Sequence, residues 1–267
     1  FSTLSIMGCA GDGDPHSSLR LNHIQVIGSH NSYHVQPHPD FLNLLLRTGD
    51  DFLAWEYSHL PLQEQFSQQG IRQIELDVFA DPDGGLYAAR TGPPESLGVV
   101  TRPAVLYDPG FKVLHIQDLD FETTCLTLQA CLHEVQSWSD AHPTHIPIMI
   151  LVEAKDTPFL SLTRPIAFGA QEFADLDAEI RAVFPAEQII TPDDVRQDME
   201  TLDDAVRTHG WPTLESSRGK VLFALDNGGA ARDIYLQDSP VLAGRVMFTS
   251  SEPGQPDAAF VLSLIHI

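Results

Sequence analysis

Basic side chains are scarce in this chain. Its 267 residues carry 15 lysines and arginines against 37 aspartates and glutamates, a net charge of −22. A nucleic-acid partner needs a basic face, and broad adhesion to anionic membranes needs one too, so the charge disfavours both. No apolar run is as long as a membrane-spanning helix requires, roughly 18 residues or more. Glycine-rich strand-to-helix turns of the nucleotide-binding kind are missing; "DPDGG" at 81–85 reads as a tight turn. The sequence also lacks internal repeats, low-complexity tracts and a linker that would divide it. Cysteine occurs three times, as Cys9, Cys125 and Cys131.

What is present suits one large domain. Hydrophobic residues make up 43% and charged residues 19%, enough for a full core and too apolar for disorder. Apolar, β-branched runs recur at 23–30, 72–79, 112–119, 147–154, 187–192, 220–227 and 245–250. Helical periodicity lies between them, at 60–70, 126–142, 173–184 and 199–210. Strands that are apolar nearly throughout and alternate with helices predict a parallel sheet. Without a phosphate loop, the expected architecture is an α/β (β/α)8 barrel of the TIM type, cut short before its eighth strand.

The two ends read differently from the middle. "FSTLSIMGCAGDGD" lacks an initiating Met and passes from apolar to a Gly/Asp spacer. Its "IMGC" resembles a bacterial lipobox, with Cys9 as the lipidated residue, so 1–14 is expected to be a signal remnant and linker on an exported, membrane-anchored or secreted protein. In an exported chain Cys125 and Cys131 form an expected disulfide, with one of the two in a loop. "LSLIHI" at 262–267 matches what an in-frame sequencing adapter encodes and is expected to be a non-native tail, which leaves 15–261 as the barrel domain.

In such barrels chemistry sits at the C-terminal ends of the strands. Those ends carry His30 and Asn31; Glu75 and Asp77; His115, Asp118 and Asp120; Glu153 and Lys155; and Asp226 and Asn227. Glu75 and Asp77, two apart on a strand, face one side. Two buried carboxylates with a third nearby need compensating charge, which a hard cation supplies, and histidines beside them suit general acid–base work. Each residue alone has a plainer reading, as a turn histidine, a solvated E-x-D or an internal Glu–Lys pair. Four successive strands placing them at the same end is what favours a site. His34 is left open. His16, His23, His38, His59, His133, His142, His145 and His209 read as loop or helix-surface residues.

"GSHNSYH", "QGIRQIELDVFADPDGG", "LHIQDLDFETTC" and "IPIMILVEAKD", together with "ITPDDVR", resemble the calcium-dependent phosphoinositide-specific phospholipase C family of bacteria, within the phospholipase-C-like phosphodiesterase barrels. The resemblance runs from about residue 21 to Val261. It implies His30 and His115 as the catalytic pair and Asn31, Glu75, Asp77 and Glu153 as ligands of Ca2+. It implies Lys155 near the substrate phosphate, and Asp226 is counted with it as substrate-binding. The implied reaction on a phosphatidylinositol-type lipid yields diacylglycerol and a cyclic inositol phosphate, with His115 as the expected acid. The implied partner is a phospholipid or other phosphodiester at a peripheral membrane surface, met by a monomer. The alternatives are a glycerophosphodiester hydrolase, which usually starts His-Arg-Gly where this chain has "SHNSYH", and an inactive barrel acting as a binding module.

Overall fold

The computed structural model describes residues 18–88, 103–159 and 162–262. Cys9, the rest of the 1–14 segment and positions 263–267 of the expected tail lie outside the described residues.

The order of elements is helix α1 (Pro39–Leu46), α2 (Leu62–Glu64), strand β1 (Gln73–Phe79), β2 (Lys112–Val113), α3 (Leu128–Ala141), β3 (Ile148–Ala154), α4 (Ala170–Val183), β4 (Ile189–Ile190), α5 (Pro192–Arg196), α6 (Leu202–Thr208), α7 (Leu214–Ser217), β5 (Val221–Leu225), α8 (Gly229–Leu236) and β6 (Met247–Thr249). Local chemistry sets several helix starts. Thr127, Thr191, Thr201 and Thr213 each accept an amide proton from the first turn that follows. The expected helix at 60–70 forms as α2 running into a π-helical turn, Gln65–Gln69, and stops at Gly70, whose φ of +69° a Cβ would disfavour.

The strands make one sheet in the order β2-β1-β3-β5-β4, with β6 also paired to β5. β1, β3 and β5 run parallel as its centre. β3 occupies one edge of β5 along its whole length, so β4 and β6 share the other edge, β4 against Val221 and Leu222 and β6 against Phe223 to Leu225. Ile74, Leu76 and Val78 of β1 join the main apolar core with Leu128, Leu132 and Val135 of α3. The alternate positions of β1 carry the acids.

Three expectations need correcting. Residues 23–30 do not form a regular strand. They run extended beside β1, with a single bridge from Gly28 to Gln73 and amide bonds such as Arg72 N–H to the Ile27 carbonyl at 2.9 Å. Val26 and Ile27 are exposed there, so this segment has a neighbour on one edge only among the described residues. β2 is antiparallel to β1. A parallel return needs a crossover helix, and the described part of this connection holds only the 3-10 turn Ala104–Tyr107. β4 lies outside β5 and not between β3 and β5. The fold is therefore mixed α/β around a parallel sheet, and closure into an eight-stranded barrel is not seen among the described residues.

Candidate metal and acid–base site

The carboxylates meet across three neighbouring parallel strands, from the middle of β1 and the C-terminal ends of β3 and β5. Glu75 and Asp77 stand on one face of β1, Glu153 on β3 in register with Asp77, and Asp226 directly after β5. Glu75, Glu153 and Asp226 each bring an oxygen to within 4.8 Å of the others. Asp77 is fully buried beneath them. Lys155 Nζ lies 3.2 Å from Asp77 Oδ2 and 3.2 Å from Glu153 Oε1, and its own amide bonds the Val78 carbonyl at 2.9 Å, which fixes its place.

Burial, and then the charges of Asp226 and Glu153, push the Glu75 carboxyl up to about 7. Burial raises Asp77 as well, although Lys155 pulls it down. Asp226 is raised by burial and by Glu153. Burial works against the charge on Lys155, but Asp77 and Glu153 outweigh it and hold the ammonium above its usual value. Four acids around one ammonium leave a shortage of positive charge. Calcium binds oxygen ligands at about 2.3–2.6 Å, so two ligands of one ion lie within roughly 5 Å of each other. The spacing and all-oxygen chemistry of Glu75, Glu153 and Asp226 fit such an ion.

"GSHNSYH" is clasped to this part of β1. Ser32 N–H donates to the Glu75 carbonyl at 3.0 Å, and Ser32 Oγ accepts from the Glu75 amide at 2.9 Å. Gln65 reinforces the clasp from behind, donating to the Ser32 carbonyl at 2.7 Å. His30 is thereby lifted into solvent, with its side chain 74% exposed and Nε2 3.7 Å from Glu75 Oε1. Its ring is held below the usual value by partial desolvation and then by His115. Across the site, His115 Nδ1 lies 2.7 Å from Asp120 Oδ2. A tight loop makes this possible. The Ile116 and Asp120 backbones bond each other twice, and Asp118 at the turn has φ +66°. The same Asp120 carboxylate takes His34 Nε2 at 2.9 Å, while His34 Nδ1 faces the Tyr57 carbonyl at 3.1 Å. Asp120 thus bridges a buried histidine and one that is open to the site.

An oxygen-only cation site beside a carboxylate-oriented histidine suits metal-assisted phosphodiester chemistry, and the family match agrees. The family model described as phosphoinositide phospholipase C, Ca2+-dependent, matches residues 19–263. The chain belongs to this family. Among solved structures, the fold is similar to the calcium-dependent phosphoinositol-specific phospholipase C of a Pseudomonas species. The identity is 21% and the TM-score 0.57, covering 89% of this chain and 68% of that one, with the same values for its myoinositol complex. A Ca2+-dependent phosphatidylinositol-specific phospholipase C from Streptomyces antibioticus is 22% identical with a TM-score of 0.51, covering 86% and 67%. No curated protein matches the chain.

Within this Ca2+-dependent phospholipase C family member, the residues singled out from sequence converge on one region. Asp226, counted with the substrate, lies with Glu75 and Glu153 at a spacing that could hold a metal ion. Asp77, counted as a ligand, shares Lys155 with Glu153, each 3.2 Å from its Nζ. Asn31 meets Glu75 through its backbone N–H. Its side chain turns to Tyr33 and Tyr57, with its oxygen accepting from Tyr33 at 3.4 Å and its amide donating to Tyr57 at 3.3 Å. A φ of +46° at Asn31 produces this turn. Sequence reasoning left His34 open and gave Asp120 no role. Their one signal was proximity, His34 four residues from His30 and Asp120 five from His115. Cys125 and Cys131 are joined in a disulfide, Cys125 in the loop before α3 and Cys131 within it.

Proposed function

We propose that the chain cleaves phosphatidylinositol-type lipids to diacylglycerol and a cyclic inositol phosphate. The observation that carries this reading is the Asp120 bridge beside the crowded carboxylates. Asp120 accepts the His115 Nδ1 proton, so the proton that moves in catalysis is at Nε2, which makes no hydrogen bond among the described residues. His30 takes a proton from the inositol hydroxyl next to the phosphate. That oxygen bonds to phosphorus, the bond from phosphorus to the diacylglycerol oxygen breaks, and His115 protonates the departing oxygen. Lys155 adds fixed positive charge beside the phosphate. Calcium, when bound, offsets the negative charge that gathers on the phosphate oxygens.

A lipid substrate implies work at a membrane surface, for which a monomer suffices. The Cys125–Cys131 disulfide favours an oxidising compartment and so an exported protein. The test is phosphorus NMR of phosphatidylinositol vesicles incubated with the protein. A cyclic phosphate signal should appear with calcium and vanish with chelator. Cleavage of glycerophosphodiesters in its place, or calcium-independent turnover, would overturn the reading.

A further inference from the structure

The β3–β5 ladder ends just below the carboxylates. Its last register pair is Val152 with Leu225, and the last backbone bond runs from Asp226 N–H to the Val152 carbonyl at 2.9 Å. In a regular parallel ladder the next two bonds would join Ala154 to the backbones of residues 226 and 228. Here the chain turns away after 227 to start α8 at Gly229. The Asn227 side chain stands in for both missing backbone groups. Its Oδ1 accepts the Ala154 N–H at 2.7 Å and its Nδ2 donates to the Ala154 carbonyl at 3.1 Å. An amide side chain has the donor and acceptor of a peptide group and reproduces the ladder one step further.

This clamp acts on two of the three cation-binding acids. Glu153 lies between Val152 and Ala154, both tied to the β5 end. Asp226 lies between Leu225 and Asn227, both tied to β3. Their carboxylates repel, and nothing else bonds β3 to β5 at this level among the described residues. We propose that Asn227 is a positioning residue for calcium: it holds Glu153 and Asp226 at one-ion spacing in the metal-free protein. The inference rests on the reading of these acids as the calcium site. Residues that orient ligands typically account for about 10–100-fold in metal affinity.

The experiment is calcium titration by calorimetry on wild type, Asn227→Ala and a control, Ser139→Ala. The control loses a buried bond of 2.7 Å to His145, which precedes the start of β3 while Glu153 stands near its end. Asn227→Ala should bind calcium about 10–100-fold more weakly, with the control at wild-type affinity. Equal affinity in Asn227→Ala and wild type would overturn the clamp while leaving the site intact. A wild type that binds no calcium would overturn the site reading and the clamp with it. Equal weakening in both variants would show general loosening and also overturn it. If Asn227→Ala does not fold, amide exchange in the wild type decides. Saturating calcium should slow exchange at Ala154, and an unchanged rate refutes the coupling.

Discussion

His115 and Asp120 are five residues apart in the chain and 2.7 Å apart in space. Their contact depends on a single tight loop, so the dyad is formed locally and then delivered to the site by the end of β2. Replacing His115 with Ala should lower phosphatidylinositol turnover by roughly 10²–10⁴, with the melting temperature nearly unchanged because the ring is partly exposed. Asp120→Asn should fall in the same range, and near-wild-type rates in either variant would remove the dyad from the mechanism. Glu75 and Asp77, both raised by burial, govern the pH response. The Glu75 carboxyl, pushed up to about 7 by burial and neighbouring acids, holds a proton below that pH in the metal-free protein. Calcium must displace that proton, so affinity should rise as pH increases toward 7 and level off above it. Calorimetry in two buffers of different ionisation enthalpy should show a proton released on the acid side, and affinity flat from pH 5.5 to 8 would contradict the assignment.

β1, β3 and β5 are the elements that bring the site together, and what precedes each of them matters as much as the acids of the site. The turn before β5 is tightly constrained. Gly219 has φ +71°, and a Cβ there would lie 2.5 Å from the Pro143 carbonyl oxygen. Gly219→Ala must therefore move backbone against backbone, at a cost of about 1–3 kcal/mol. Thermal unfolding should register that loss, and a variant as stable as wild type would show that the turn yields freely. Element identity was largely legible in the sequence. The apolar runs at 72–79, 147–154 and 220–227 became β1, β3 and β5 within about two residues at each end, because buried central strands carry their signal in composition. The runs at 23–30 and 112–119 misled, the first joining β1 by a single bridge and the second forming strand only at Lys112–Val113. An apolar run reports burial, whereas pairing depends on which neighbours are present on each edge.

Across the whole molecule the net charge of −22 acts against the substrate surface it is proposed to meet. Phosphoinositide membranes are anionic, and like charges repel over about 10 Å at 0.1 M salt and about 30 Å at 0.01 M. Adsorption to phosphatidylinositol vesicles should therefore strengthen as salt rises from 0.01 to 0.1 M, opposite to the behaviour of a basic peripheral protein. Vesicle sedimentation at fixed calcium measures this, and adsorption that weakens with salt would mean that a local basic face outweighs the global charge.

The sequence by itself determined the α/β class, the central strands, the family resemblance and the set of acids and histidines of the site. All of these follow from local composition and from the period of two along a strand. Tertiary structure decided the grouping. It put Asp226 with Glu75 and Glu153, set Lys155 between Asp77 and Glu153, turned the Asn31 side chain toward two tyrosines, and joined His34 to His115 through Asp120. Those choices depend on the register between strands and on backbone turns of positive φ at Asn31 and Asp118. Register is a relation between distant segments, and no window along the chain contains it.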